Sequence, residues 1–159
     1  MSVTYHTVVV RFGEHIAPPE GTVAAHQRVI EDYGYVWWGK LGTPLAQCKI
    51  EKMRKQRDDG TMTIFLLCGR VLTLAEVDDC SPNLTISELE AVPAYYRGKS
   101  EDAGTWFRLR SLTPLENRGI AKGLCVESSH QPLSEVITAS MSPMFYVSIQ
   151  PETLSELRR

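Results

Sequence analysis

His26-Gln27-Arg28-Val29-Ile30-Glu31-Asp32-Tyr33-Gly34-Tyr35-Val36-Trp37-Trp38-Gly39-Lys40 is the stretch on which the reading of this chain turns. A helix runs to about Tyr33, Gly34 stops it, and an aromatic, β-branched strand follows at once. Two of the three tryptophans, Trp37 and Trp38, stand side by side in that strand. Consecutive strand side chains point to opposite faces, so the two indoles cannot serve one core. One packs inside while the other faces a pocket, a partner or a second layer. Gly39 lets something approach the backbone closely, and Lys40 adds a cation. Flat aromatic surface beside a fixed cation suits a planar, electron-rich or anionic ligand, a nucleobase above all.

Working towards the N-terminus, Gly13 to Gly21 reads as a loop and residues 5–12 as a first strand. Thr22 is placed to cap the helix. Its apolar stripe is Val23, Ile30 and Tyr33, with Ala25 and Val29 at the edge, and His26 falls on it. Towards the C-terminus, Thr43 as N-cap and Pro44 at the first helical position open a second helix. In it Ala46, Ile50 and Met53 repeat at i, i+4 and i+7. Its outer surface is basic through Lys49, Lys52, Arg54, Lys55 and Arg57, offset in part by Glu51, Asp58 and Asp59.

Residues 62–68 are apolar on both faces and read as a central strand, and Gly69-Arg70 turns into a strand over 71–77. Residues 78–99 show no period and contain Pro82, Pro93 and Gly98. They read as a long loop with a helical turn around 86–90, and loops of that length are often functional. Over residues 105–112, Phe107 and Leu109 alternate with Trp106, Arg108 and Arg110, a face offering one ring and two phosphate contacts. A turn at 117–122, a short strand at 124–126, a short helix at 133–137, a closing strand at 145–149 and a helical turn at 151–159 complete the chain.

Six or so strands without regular β-α-β alternation give an α+β fold. It is a small, curved, mostly antiparallel sheet or pseudo-barrel with two to three flanking helices, in one domain over residues 1–159. Neither phosphate-cradling glycine motif is present, which argues against a doubly wound nucleotide fold. The net charge of −2 excludes a protein that coats nucleic acid at large, so any such contact needs a local basic face. Cys48, Cys68, Cys80 and Cys125 form no C-x-x-C pair and suggest neither a zinc site nor a disulfide framework. Reduced thiols, no signal-peptide pattern and no run approaching roughly 18 apolar residues point to the cytoplasm and away from membranes. The sequon Asn83-Leu84-Thr85 carries little weight in such a chain. No cofactor or metal is implied.

The order strand, helix, aromatic strand ending in Trp-Gly-Lys, helix and further strands resembles the PUA-like superfamily, which includes the ASCH, EVE and YTH-type domains. The segment His26 to Lys40 carries the resemblance; the rest agrees in length and element order, and the first strand departs from the Tyr-Trp-Leu-like EVE start. The resemblance implies a cleft that binds a nucleotide or modified base in RNA or DNA. It implies an aromatic cage in the EVE and YTH branches, and amidohydrolase chemistry on modified nucleosides in some ASCH-type members.

The leading expectation is a non-catalytic reader of a modified or flipped-out base in nucleic acid. Trp37, Trp38, Trp106 and Tyr96, with Tyr95 nearby, shape its pocket, while Lys40, Arg108 and His26 supply polar contacts. Ser129, in Ser128-Ser129-His130, serves either as a hydrogen-bond partner or in a helix cap. Against this stand plain packing roles: buried indoles, a hydrogen-bonded core histidine, arginine stems laid over Trp106 and a solvated basic helix. Two rival functions remain. An ASCH-type amidohydrolase would need Lys40, with its pKa depressed by burial, beside Glu76. An interaction module would use the aromatics for a peptide, a small molecule or dimerisation.

Overall fold

The computed structural model describes residues 4–15, 17–56, 60–84, 87–115, 123–140 and 142–158. The turn read at 117–122 and residues Arg57, Asp58, Asp59, Thr85 and Ile86 lie outside them. Seven strands form, in chain order β1 (Tyr5–Arg11), β2 (Val36–Leu41), β3 (Met62–Cys68), β4 (Val71–Ser81), β5 (Ala103–Pro114), β6 (Cys125–Val126) and β7 (Met144–Ile149). Four helices accompany them: α1 (Thr22–Tyr33), α2 (Gln47–Lys55), α3 (Leu133–Ala139) and α4 (Pro151–Leu157). The strands lie in the order β2-β5-β4-β3-β1-β7-β6, so the sheet is not closed. β1 runs parallel to β3, whereas the β1–β7, β2–β5 and β6–β7 pairs are antiparallel. The fold is α+β, as the sequence indicates.

The chain divides into two compact units. The first comprises Met1–Phe12, Thr63–Leu74 and Thr113–Arg159. Its core is largely aliphatic with two phenylalanines: Val9, Phe65, Leu67, Leu124, Leu133, Phe145 and Val147 are among its buried members. α4 docks through Leu154 and Leu157, and Arg158 donates to Thr63 Oγ1 at 3.1 Å. Arg11 donates to the carbonyls of Ile137 and Ser140, both at 2.8 Å, which holds the C-terminal end of α3.

The second unit, Gly13–Met62 and Ala75–Leu112, contains α1, β2, α2, most of β5 and the later half of β4. Residues 78–99 are more ordered than their lack of period suggests. β4 continues to Ser81, and 3₁₀ turns cover Ser87–Ala91 and Ala94–Asp102. Arg97 fastens the two turns together: its Nε donates to the Leu89 and Val92 carbonyls at 3.0 and 3.2 Å, and its Nη2 to the Glu90 carbonyl at 3.2 Å.

Two local expectations need correction. α1 is N-capped by Gly21, and its buried residues are Thr22, Ala25 and His26, with Val29 packed alongside. Tyr33 is 51% exposed. The inward stripe is thus rotated from the one headed by Val23, Ile30 and Tyr33, because α1 packs on the aromatic strand through its small and polar residues. α2 starts behind Ala46 and not at Thr43. The Thr43 carbonyl is held by Lys40 Nζ at 2.5 Å, and the Leu45 N–H donates to Thr105 Oγ1 at 3.0 Å, so residues 43–45 are pinned as a connecting loop. Among the described residues no helix is long and apolar enough to cross a membrane.

Candidate functional site: an aromatic cluster around His26

His26 lies on the inward face of α1 and is 1% exposed. Its Nδ1 sits 2.8 Å from the Thr22 carbonyl. A carbonyl only accepts, so Nδ1 carries the ring proton and Nε2 is a bare acceptor. That Nε2 is buried and has no partner. Burial pushes the pKa from 6.5 down to about 4, although the hydrogen bond to Thr22 works in the opposite direction. At neutral pH the imidazole is uncharged.

Rings surround it. Trp38 lies 4.3 Å from the imidazole centroid with planes tilted by 35°. Tyr96 and Tyr95 approach edge-on at 6.1 and 6.5 Å. Tyr96 in turn meets Trp106 edge-on at 6.3 Å, and its hydroxyl donates to the Gly39 carbonyl at 2.5 Å. Burial raises the Tyr96 phenol well above its ordinary pKa. The 3₁₀ turns therefore bring two tyrosines onto the helix–strand pair that the sequence singles out.

The β2–β5 register places Trp37 opposite Arg108, Trp38 opposite Phe107, Gly39 opposite Trp106 and Lys40 opposite Thr105. A Cβ at Gly39 would stand 2.9 Å from Cη2 and Cζ3 of Trp106 and 3.1 Å from the Ala103 Cβ. The close approach foreseen at this glycine is made by the chain's own indole. Trp37 lies under the Arg108 guanidinium, which is 5.7 Å from its ring and 5.5 Å from the Tyr35 ring. The Trp37 Nε1–H is a second buried polar atom without a partner.

Several expectations about accessibility are overturned. Trp37, Trp106 and Trp38 are 1%, 2% and 3% exposed, so no indole faces solvent. α1 covers Trp38, Arg108 and Tyr35 cover Trp37, and Tyr96 with Gly39 covers Trp106. Lys40 is also buried, at 3% exposure. Its Nζ donates to the carbonyls of Thr43 and Leu41, and burial lowers its pKa. It clamps the loop after β2 rather than presenting a charge beside an indole. Arg108 and Arg110 both pair with Asp78: Arg108 Nε lies 2.6 Å from Oδ1, and Arg110 Nε bonds Oδ2. The carboxylate raises the Arg108 pKa further. The two foreseen phosphate contacts thus already share one carboxylate. Asp78 escaped sequence reasoning because 30 residues separate it from Arg108; an acidic residue directly after the strand read over 71–77 was the available signal.

Lys40 and Glu76 are not brought together. The Leu115 N–H donates to the Leu72 carbonyl, and further along Asp78 meets Arg108 and Arg110, so β4 and β5 run in opposite directions. Glu76 therefore lies towards the Arg110 level, whereas Lys40 is opposite Thr105. The offset is about five residues of strand, roughly 16 Å. Ser129 belongs to the first unit, exposed in the turn after β6, where its Oγ accepts the Gln131 N–H at 3.4 Å. α3 is N-capped by Pro132, so the serines do not cap it. Among the described residues no group of His, Cys, Asp and Glu is arranged to hold a metal ion.

A family model described as Pua-like matches residues 8–138. No match is found among curated proteins or among solved structures.

Proposed function

This chain belongs to the Pua-like family, and from that membership we propose that it is a non-catalytic binding domain for a modified or flipped-out base of RNA or DNA. The observation that carries the reading is the acceptor His26 Nε2, buried without a partner among Trp38, Tyr95 and Tyr96, beside a Tyr95 hydroxyl that is likewise buried and unpaired. A buried acceptor left unpaired costs about 1–3 kcal/mol, which an entering N–H donor would recover. A base edge supplies that donor, and its face supplies a stacking partner for Trp38, worth roughly 1–3 kcal/mol. An aromatic cage holding an imidazole acceptor and a phenol hydroxyl favours a base edge with a donor beside a second polar atom, and a base already unstacked or unpaired enters at least cost.

Entry requires the rings to part. Tyr95 and Tyr96 ride on the Ala94–Asp102 turn, whose hold on β2 includes the Tyr96–Gly39 hydrogen bond. That turn is the segment we assign to move, together with Ser87–Ala91, to which Arg97 fastens it. Trp37 and Trp106 back the cage, and Lys40 keeps the loop after β2 in place. Arg108 contributes a phosphate contact by exchanging its Asp78 partner. The whole chain is taken as one Pua-like domain, since the family match spans segments of both units.

The test is a titration of the purified chain with modified and unmodified oligonucleotides and free nucleosides, followed by tryptophan fluorescence. A ligand from that panel should bind, and His26→Phe, folded by circular dichroism, should weaken it by about tenfold or more, the equivalent of one lost hydrogen bond to a buried group. Undiminished affinity in His26→Phe, or no binding across the panel, refutes the reading.

A further inference from the structure

The basic face of α2 takes no part in the His26 cluster, yet it borders a cavity. A partly open recess of about 240 Å³ is lined by residues of the loop after β2, α2, β4 and β5, among them Pro44, Ile50, Arg54, Cys80, Pro82 and Thr105. Arg54 is anchored there by donation from Nη2 to the Cys80 carbonyl at 3.0 Å. Its Nη1 lies 3.5 Å from Glu51 Oε1, a long contact to a half-exposed carboxylate, and its Nε–H is buried with no partner. Gln47, also at the cavity, donates to the same Glu51 oxygen at 2.8 Å. A fixed guanidinium therefore stands at a partly apolar recess with its Nη1 only loosely held.

We propose that this cavity is a second binding site, one that takes a phosphate ester. Arg54 and Gln47 would bond the phosphate oxygens, and Pro44, Ile50 and Pro82 would pack against the attached sugar. A guanidinium offers its donors in planar forks that match phosphate oxygens, and the end-on fork pairs Nη1 with Nη2, so phosphate oxygens can take Nη1 from Glu51 together with the N–H of Nη2 that the Cys80 carbonyl does not use. Glu51 is the competitor. A single carboxylate on an exposed helix surface is a weak one, because such surface pairs contribute little. Cys80 does not oppose an anion, since burial holds its thiol neutral, with a pKa of about 11. The site is independent of the aromatic cluster and stands whether or not a base binds there.

The experiment follows backbone amide shifts of the full chain during titration with inorganic phosphate, a nucleoside 5′-monophosphate, the parent nucleoside and a phosphodiester dinucleotide. The monophosphate should bind at least tenfold more tightly than the nucleoside and shift the amides of Cys80 and Thr105. Inorganic phosphate should displace it. A dinucleotide that binds as tightly as the monophosphate identifies a nucleic-acid backbone as the source of the ester; a weaker one identifies a free nucleotide. Arg54→Gln should abolish the preference for the phosphorylated ligand. Because Arg54 also holds the Cys80 carbonyl, Ile50→Phe provides a second variant that fills the space and keeps the charge, and it should abolish binding as well. Equal binding of nucleoside and monophosphate, binding that persists in a folded Ile50→Phe variant, or shifts absent at Cys80 and Thr105 overturns the proposal. These amides report separately from tryptophan fluorescence, so this site and the His26 cluster can fail independently.

Discussion

Acid should destabilise this protein through His26 by an amount the structure sets. Burial holds the imidazole pKa at about 4 in the folded chain, against 6.5 when it is solvated. Between those values the unfolded chain binds the proton and the folded chain does not, so falling pH draws the equilibrium towards unfolding. The histidine's contribution is complete above pH 6.5, declines as pH falls, and is gone below about pH 4. The gap of 6.5 − 4 = 2.5, at about 1.36 kcal/mol per unit, amounts to about 3 kcal/mol. With the ring 1% exposed, solvent screening takes little from that figure. The assay is urea unfolding of the wild type and of His26→Phe from pH 7.5 to pH 4. Subtracting the variant removes the shared titration of the carboxylates. The wild-type advantage should shrink by about 3 kcal/mol over that range, and the imidazole nitrogen shifts should report the Nδ1-protonated tautomer at pH 7. A difference that stays flat with pH, or a ring titrating near 6.5, would refute both the burial of a neutral His26 and the acceptor role built on it.

Gly39→Ala should destabilise the fold by about 1–3 kcal/mol, because the new methyl group meets the Trp106 ring at 2.9 Å, and Trp106→Phe should relieve part of that cost; a neutral Gly39→Ala in thermal unfolding would show that the ring is not seated there. Asp78→Asn should release Arg108 and Arg110, giving tighter oligonucleotide binding with a steeper dependence of log K on log salt. Unaltered salt dependence in that variant would remove both arginines from any nucleic-acid contact.

Much of the framework was legible because local chemistry and the tertiary fold agree. The helix ends at Tyr33, where Gly34 adopts φ 85° and donates to the Ile30 carbonyl, the conformation a glycine provides most readily. β3 reads as central because residues 62–67 are buried on both faces. The site was legible as a neighbourhood but not as a geometry. His26, Trp38, Tyr96 and Trp106 do gather, yet nothing local reveals that they cover one another. Periodicity placed His26 on the inward face of α1 correctly but centred that face wrongly, because Thr22 and Ala25 are small or polar and an apolar template favours Tyr33 over them. The tyrosines arrive on 3₁₀ turns, which are too short to print a hydrophobic period. Asp78, Arg54 and the Cys80 carbonyl act through partners distant in sequence, which no single window contains.

β2 ends one side of the sheet order, and the apolar run Val36-Trp37-Trp38 at its start would ordinarily invite another chain to add a strand and begin aggregation. α1 and the 3₁₀ turns pack on it, and a tyrosine hydroxyl occupies one of its carbonyls. At the other margin β6 offers only Cys125 and Val126, too short a template for a stable ladder. The covering that hides the indoles thus also keeps copies of this chain from zipping together. If the turns part to admit a base, as proposed, that protection lifts briefly, and solubility would then depend on how fast they close again.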